Sequence, residues 1–417
     1  MKKRRRVAPS FFFDKRFAAA RLQTAGKGSD LRKHKMADLS FKVSPNIILG
    51  SYAASRIGQS VIKIGTRFML ISDPILRENG VLEKITKALD DKKIDYFVFD
   101  ELSAGSDSKV LERALTLAKQ SHVHGVIALG GGKPISIARA LCAFYNEAHD
   151  IYDFLDGASP VASPLPMICV PTTIRDAFVF TDTIPLVDAR SSILKLVKAQ
   201  SGLCRLVVFD PTLSSTLSEN QIDSMTLETI CLATETYLSQ KANFFSDMIA
   251  EKSATLLGYA INGAESLTIT TPKEELLSQG GCLASLAAAT SSVGTASLIS
   301  MCINARYKIS RSLVTTILFP YMIEECANYK AAKLAKIARL LTPGQNEASD
   351  EEAIHAFAEN IRQNIAKANL PARLKDLSVS IEQLALAAED AGQLDIVNSL
   401  PKSMTSDDLF ALIKTAY

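Results

Sequence analysis

The chain has 417 residues, 47% hydrophobic and 22% charged, so it is too long for one small core and carries enough apolar surface for two sizeable ones. Its net charge of +3 divides into +10 before Met36 (12 Lys and Arg against 2 Asp and Glu) and −7 from Met36 onward (35 against 42). That mildly acidic body argues against a nucleic-acid partner.

The opening, MKKRRRVAPSFFFDKRFAAARLQTAGKGSDLRKHK, lacks the apolar core of a secretory signal. MADLSFKVSPNIILG looks like a natural start, so residues 1–35 read as upstream sequence or a disordered tail, within a basic extension over 1–40. A transit peptide, a nuclear signal or a basic arm are the alternatives.

Over 41–210, short β-rich runs (NIILG, RFMLIS, DYFVF, GVIAL, PMICV) alternate with helix-length segments such as SKVLERALTLAKQS. This alternation predicts an α/β domain with a parallel, helix-covered sheet. ILKLV and RLVVFDP, within 188–210, are expected to return to that sheet as extra strands. Beyond Asp210-Pro211 the pattern is helical to the end, which predicts an all-α domain over 211–417. Within it, residues 276–305 hold no charge. Their repeated Gly, Ser and Thr, and the lack of a second such segment, favour a buried helix pair over a membrane span. The seven cysteines are odd in number, far apart and set among apolar residues, with no Cys-x-x-Cys pair. They suit a reducing cytoplasm and free thiols, not disulfides or a zinc site.

Two strand-end motifs carry chemistry. VIALGGGKPISIARAL is a strand, three glycines (Gly130, Gly131, Gly132) and a helix; such a turn lets backbone approach a phosphate at a helix N-terminus. PMICVPTTIRDAF places Thr172 and Thr173 just after another strand. With VVFDPTLSSTLSENQ, ETYLSQKANFFSDMIAEKSATLLGYAI, TTILFPYMIEECAN and VNSLPKSMTSDDLFALIKTAY, these motifs resemble, over 41–417, the iron-containing alcohol dehydrogenase family, relatives of glycerol dehydrogenase and dehydroquinate synthase. The resemblance implies a dehydroquinate synthase-like fold: a Rossmann-like dinucleotide-binding domain, a helical domain, and a cleft where a divalent metal polarises an alcohol oxygen while hydride passes to NAD or NADP. It also implies a cytoplasmic homodimer.

This chain departs from that pattern. Matching the family's metal ligands, one Asp and three His, puts Glu228, Leu232, Ser297 and Arg311 in their places. The five histidines are 34, 122, 124, 149 and 355, so none lies between 150 and 354 and no shift of register restores imidazole. The expectation is that no metal binds and that the protein is a pseudoenzyme candidate. In the cofactor loops Lys133 and Ser136 replace the family's Ser and Asp, and Arg175 and Ala177 stand where a Gly-containing loop is expected. Lys133 and Arg175 either crowd a cofactor or neutralise its phosphates. Gly130, Gly131, Gly132, Lys133, Thr172, Thr173 and Asp73 remain as dinucleotide contacts, with Asp73 read equally as a ribose ligand or a strand terminator.

Other residues carry blander readings. Asp247 is expected to cap a helix, Glu235 and Tyr237 to pack, Cys231 to be a buried thiol, and His355 to be on the surface. His122 and His124 are expected to be structural.

The leading functional reading is a divergent member that binds a nucleotide or a small phosphorylated ligand without metal-dependent activity. The alternatives are a metal-independent NAD(P)-dependent reductase of a small carbonyl compound, with Arg311 as electrophile and Tyr237 or Lys308 as proton donor, and an oligomeric interaction protein. No nucleic acid or membrane partner is expected. At residue level, Arg311 is expected to replace the metal's charge and Glu228 to be its counter-ion.

Overall fold

All five predicted β-rich runs become strands of one parallel sheet. The computed structural model describes residues 41–417 except 42, 103–105, 264–270 and 343–347. The basic extension over 1–40 lies outside the described residues. The strands are β1 (Asn46–Leu49), β2 (Arg67–Ser72), β3 (Asp95–Phe99), β4 (Gly125–Gly130), β5 (Met167–Pro171), β6 (Thr183–Asp188), β7 (Ile193–Lys198) and β8 (Cys204–Phe209). The six-stranded sheet runs β1-β8-β5-β4-β2-β3, with every pair parallel. Every residue of β4 and β5 is buried, as expected where helices cover both faces and the strand reads as a continuous apolar run. Alternate side chains feed two cores. Met69, Ile71, Val126, Ala128, Met167 and Val207 face one, and Phe68, Leu70, Ile127, Leu129, Ile168 and Val208 face the other.

One strand assignment is corrected. RLVVF joins the sheet as β8, but ILKLV becomes β7 and pairs antiparallel with β6 in a separate ribbon. The reason is visible in β7 itself: Lys195 is partly exposed and Lys198 is exposed, and neither fits a strand covered on both faces.

The second half is helical, and together with the sheet it belongs to one unit, Ser40–Tyr417. Capping boxes start several of its helices, among them Ser218 with Gln221 before Glu219–Leu238 and Ser349 with Glu352 before Asp350–Lys367. Asn243, not Asp247, caps the helix Phe244–Asn262. Asp247 instead accepts from Lys333 Nζ at 2.8 Å. The uncharged stretch forms the helices Lys273–Thr290 and Thr295–Tyr307, bent 93° to each other and largely buried. Among the described residues no single helix is long and apolar enough to cross a membrane. All seven cysteines are free and buried.

Candidate functional site

The site forms where the C-terminal ends of β4 and β5 meet the helical half. Gly130 ends β4 with φ +136, and Asp73 Oδ2 and the Pro134 ring fill the space a side chain would need. Only glycine fits that backbone. Asp73, directly after β2, accepts the Gly131 N–H at 3.1 Å. Burial raises its pKa, against the opposing pull of that hydrogen bond and of Lys133. The Thr172 N–H donates to Gly130 O at 3.0 Å and ties the two strand ends together. The helix Gly132–Phe144 then starts with no side-chain cap, leaving its first N–H groups open.

β5 delivers Thr172, Thr173, Ile174, Arg175 and Asp176, and the loop is held from several sides. Thr173 Oγ1 donates to Arg175 O at 2.9 Å. The Asp176 N–H donates to Ser285 Oγ at 3.1 Å, and Asp176 Oδ1 accepts from the Phe178 N–H at 2.9 Å. At Gly281, on the same helix as Ser285, any side chain would overlap Ile174 O, so helix and loop touch backbone to backbone.

This anchoring aims the Arg175 guanidinium at Glu228, and the two form an ion pair with side chains only 10% and 7% exposed. Ser312 Oγ donates to the other carboxylate oxygen, Glu228 Oε2, at 2.6 Å. Burial and the neighbouring charge of Arg311 lower the Arg175 pKa to about 10, so it stays cationic at neutral pH.

The expected Arg311–Glu228 pair is therefore not formed. Arg175 takes that role: its loop, pinned by the Lys273–Thr290 helix, holds the guanidinium against the carboxylate. Arg311 points instead to the glycine turn, where a Cβ placed on Gly132 would lie 3.4 Å from Arg311 Nη1 and 3.8 Å from Asp176 Oδ2. Burial lowers its pKa and the Asp176 charge opposes this. Arg311 Nε is buried with no partner, and the guanidinium makes no ion pair with any described residue.

Glu228 and Arg311 share one cavity of about 410 Å³ with Gly132, Lys133, Ser136 and Thr173. Gly130, Gly131 and Asp73 do not line it, and Thr172 borders a smaller pocket that shares Thr173 and Ile174 with it. Leu232 and Ser297 do not line the cavity and are buried, 1% and 6% exposed. The Ser297 N–H donates to Glu235 Oε1 at 3.0 Å. Glu235 is thus more than packing: fully buried, it closes the open N-terminus of Thr295–Tyr307, and burial raises its pKa despite those N–H groups.

A zinc ion needs three or four carboxylate, thiolate or imidazole ligands. Glu228 is the one such group among the four matched positions, and its oxygens are engaged by Arg175 and Ser312. Among the described residues no three His, Cys, Asp or Glu side chains assemble a metal site. At these four positions the side chains do not offer a metal's ligand set. The pairing role of Arg175, the hydroxyl of Ser312 and the brace at Ser285 escaped the sequence reading. One signal pointed to Arg175: it lies in the loop after a central strand, where open α/β sheets place their ligand-facing loops.

Comparison with known proteins bears on the whole of this arrangement. Residues 44–211 match the family profile described as iron-containing alcohol dehydrogenase, and residues 222–417 match that of the Fe-containing alcohol dehydrogenase family, C-terminal. The chain is similar to the NAD-dependent methanol dehydrogenase of Bacillus methanolicus, 21% identical over 90% of this chain and 99% of that one. It is also similar to the lactaldehyde reductase of Escherichia coli strain K12, 22% identical over 84% and 91%. Among solved structures, the alcohol dehydrogenase from Oenococcus oeni superposes with a TM-score of 0.82 at 19% identity, covering 91% of this chain and 100% of the other.

Proposed function

The chain belongs to the iron-containing alcohol dehydrogenase family, and from that membership we propose that it binds an NAD(P)-type dinucleotide in its cleft without metal-dependent alcohol chemistry. A fold carries many functions, so the site must carry the argument. The observation that carries it is the buried Arg175–Glu228 ion pair, which spends the one carboxylate at the family's metal position on an internal cation. Dinucleotide binding draws support from the glycine turn, the uncapped start of Gly132–Phe144 and the adjacent Lys133, a combination suited to phosphate. A bound nicotinamide would supply hydride chemistry; this chain's residues would bind and orient it.

Two measurements test the reading together: fluorescence titration with NADH and NADPH, and elemental analysis of the purified protein. Saturable binding by protein lacking stoichiometric iron or zinc is the expected result. About one metal per chain, removable by chelator with loss of activity, overturns it.

The unpaired Arg311 favours a second reading, a metal-independent reductase of a small carbonyl compound. A guanidinium can stabilise charge developing on a carbonyl oxygen. Of the two proposed proton donors only Lys308 lines the cavity. Tyr237 donates to Glu251 Oε1 at 2.8 Å, and its pKa is raised by burial and by that carboxylate. NAD(P)H-dependent turnover by metal-free protein, abolished by Arg311→Met, decides for this reading; no turnover across a panel of small aldehydes and keto acids decides against it.

A further inference from the structure

We propose that the inner cavity is a binding site for a compact dianion, a small dicarboxylate or phosphate monoester held by Arg311, so that an anion stands where the family places a cation. The inference uses the same cavity as the reading above and does not depend on a dinucleotide binding there.

Charge sets the ligand's sign and size of charge. Lys133, Arg175, Lys308 and Arg311 line the cavity against two carboxylates, Asp176 and Glu228, so four cations less two anions leave two positive charges uncompensated. Glu228 is taken by Arg175, and Asp176 Oδ1 is taken by its own turn. The two lysines lie at the rim, exposed, and steer. The two arginines lie deeper: the Arg175 side chain is nine-tenths buried, Arg311 is partly buried, and the Nε atoms of both are buried without a partner. A partly desolvated cation that makes no ion pair, with only the field of Asp176 to offset it, carries a cost. An oxyanion accepting from Arg311 removes that cost through charge-assisted hydrogen bonds, and the guanidinium fork matches carboxylate and phosphate alike.

Backbone adds to this. Two helices, Gly132–Phe144 and Arg311–Leu341, begin at the cavity wall, and neither has a side-chain cap. Both direct open N–H groups and the positive end of the helix dipole inward. Ser310 brings a hydroxyl, while Met225, Met301 and Leu194 offer an apolar wall for a short carbon body. At about 410 Å³ the cavity sits near the small end of ligand pockets, which points to a small molecule.

The experiment is calorimetric titration of the full chain at low ionic strength with malonate and with inorganic phosphate, alongside NADH by fluorescence. Wild type is expected to bind at least one of the two anions, and the one bound more tightly identifies the class. Arg311→Met should weaken that binding by roughly tenfold or more without lowering the melting temperature of the ligand-free protein. Lys308→Asn, which keeps an asparagine-tolerant left-handed backbone position, should weaken it less and serves if Arg311→Met does not fold. No binding of either anion at millimolar concentration, or affinity indifferent to both substitutions, overturns the proposal. Anion binding without NADH binding leaves it standing and removes the dinucleotide reading; the converse result removes it alone.

Discussion

Removing one member of the Arg175–Glu228 pair strands the other charge where little water reaches it, since both side chains are about nine-tenths buried. Arg175→Met is expected to destabilise the protein by about 3–5 kcal/mol, read as a shift of the urea midpoint at constant slope. Glu228→Gln should cost less, because the amide oxygen can still accept from Ser312. A double-mutant cycle between these two substitutions should show coupling of about 1–3 kcal/mol. The parallel cycle with Arg311→Met should show clearly less; equal coupling in both would mean that Arg311 shares the carboxylate.

At the scale of elements, the contact between the Lys273–Thr290 helix and the loop after β5 decides whether Arg175 is aimed correctly. Gly281→Ala puts a methyl group into Ile174 O. It should destabilise by about 1–3 kcal/mol and weaken the Arg175–Glu228 coupling by displacing the loop. Gly50→Ala, with open space around it, should stay within about 0.5 kcal/mol of wild type. The start of the Thr295–Tyr307 helix carries its own signature, because Glu235 closes it while fully buried. Burial raises the folded-state pKa of Glu235, so the native protein holds this proton more tightly than the unfolded chain does. Stability from this group therefore falls as pH rises from the usual carboxylate range through the raised value. Glu235→Gln should flatten that part of the pH–stability curve; an unchanged curve would show that another group causes the slope.

For the molecule as a whole, a cleft with surplus positive charge sits in a body of net charge −7 beyond Met36. Anionic ligands are then drawn by the local field of the cavity against the overall charge, and their affinity should fall as salt rises. On the proposed metal-free reading, chelators should leave the melting temperature unchanged. A bound ligand, by contrast, should raise stability by about 2.7 kcal/mol at a hundred times its dissociation constant. A melting temperature that drops in EDTA and recovers with zinc or iron would contradict the reading of the cleft.

The sequence by itself determined the layers of this protein. Fully apolar strand runs, such as GVIAL and PMICV, separated by amphipathic helices leave few choices but a parallel sheet covered on both faces, and helical periodicity with local caps marks the second half. Periodicity and capping are short-range properties, so they can be read along the chain. It also determined the want of imidazole between residues 150 and 354. Tertiary structure alone decided that β7 leaves the sheet, since pairing depends on which faces are covered, and alone decided the partner of Glu228. Arg175 and Arg311 both reach the cavity from different elements, and both are equally able to meet a carboxylate in chemical terms. The choice fell to Arg175 because Ser285 and the backbone contact at Gly281 pin its loop, while Arg311, at the first turn of its own helix, is turned toward Gly132. Ion pairs form between groups that the packed backbone brings within reach, and that reach is a property of the whole fold.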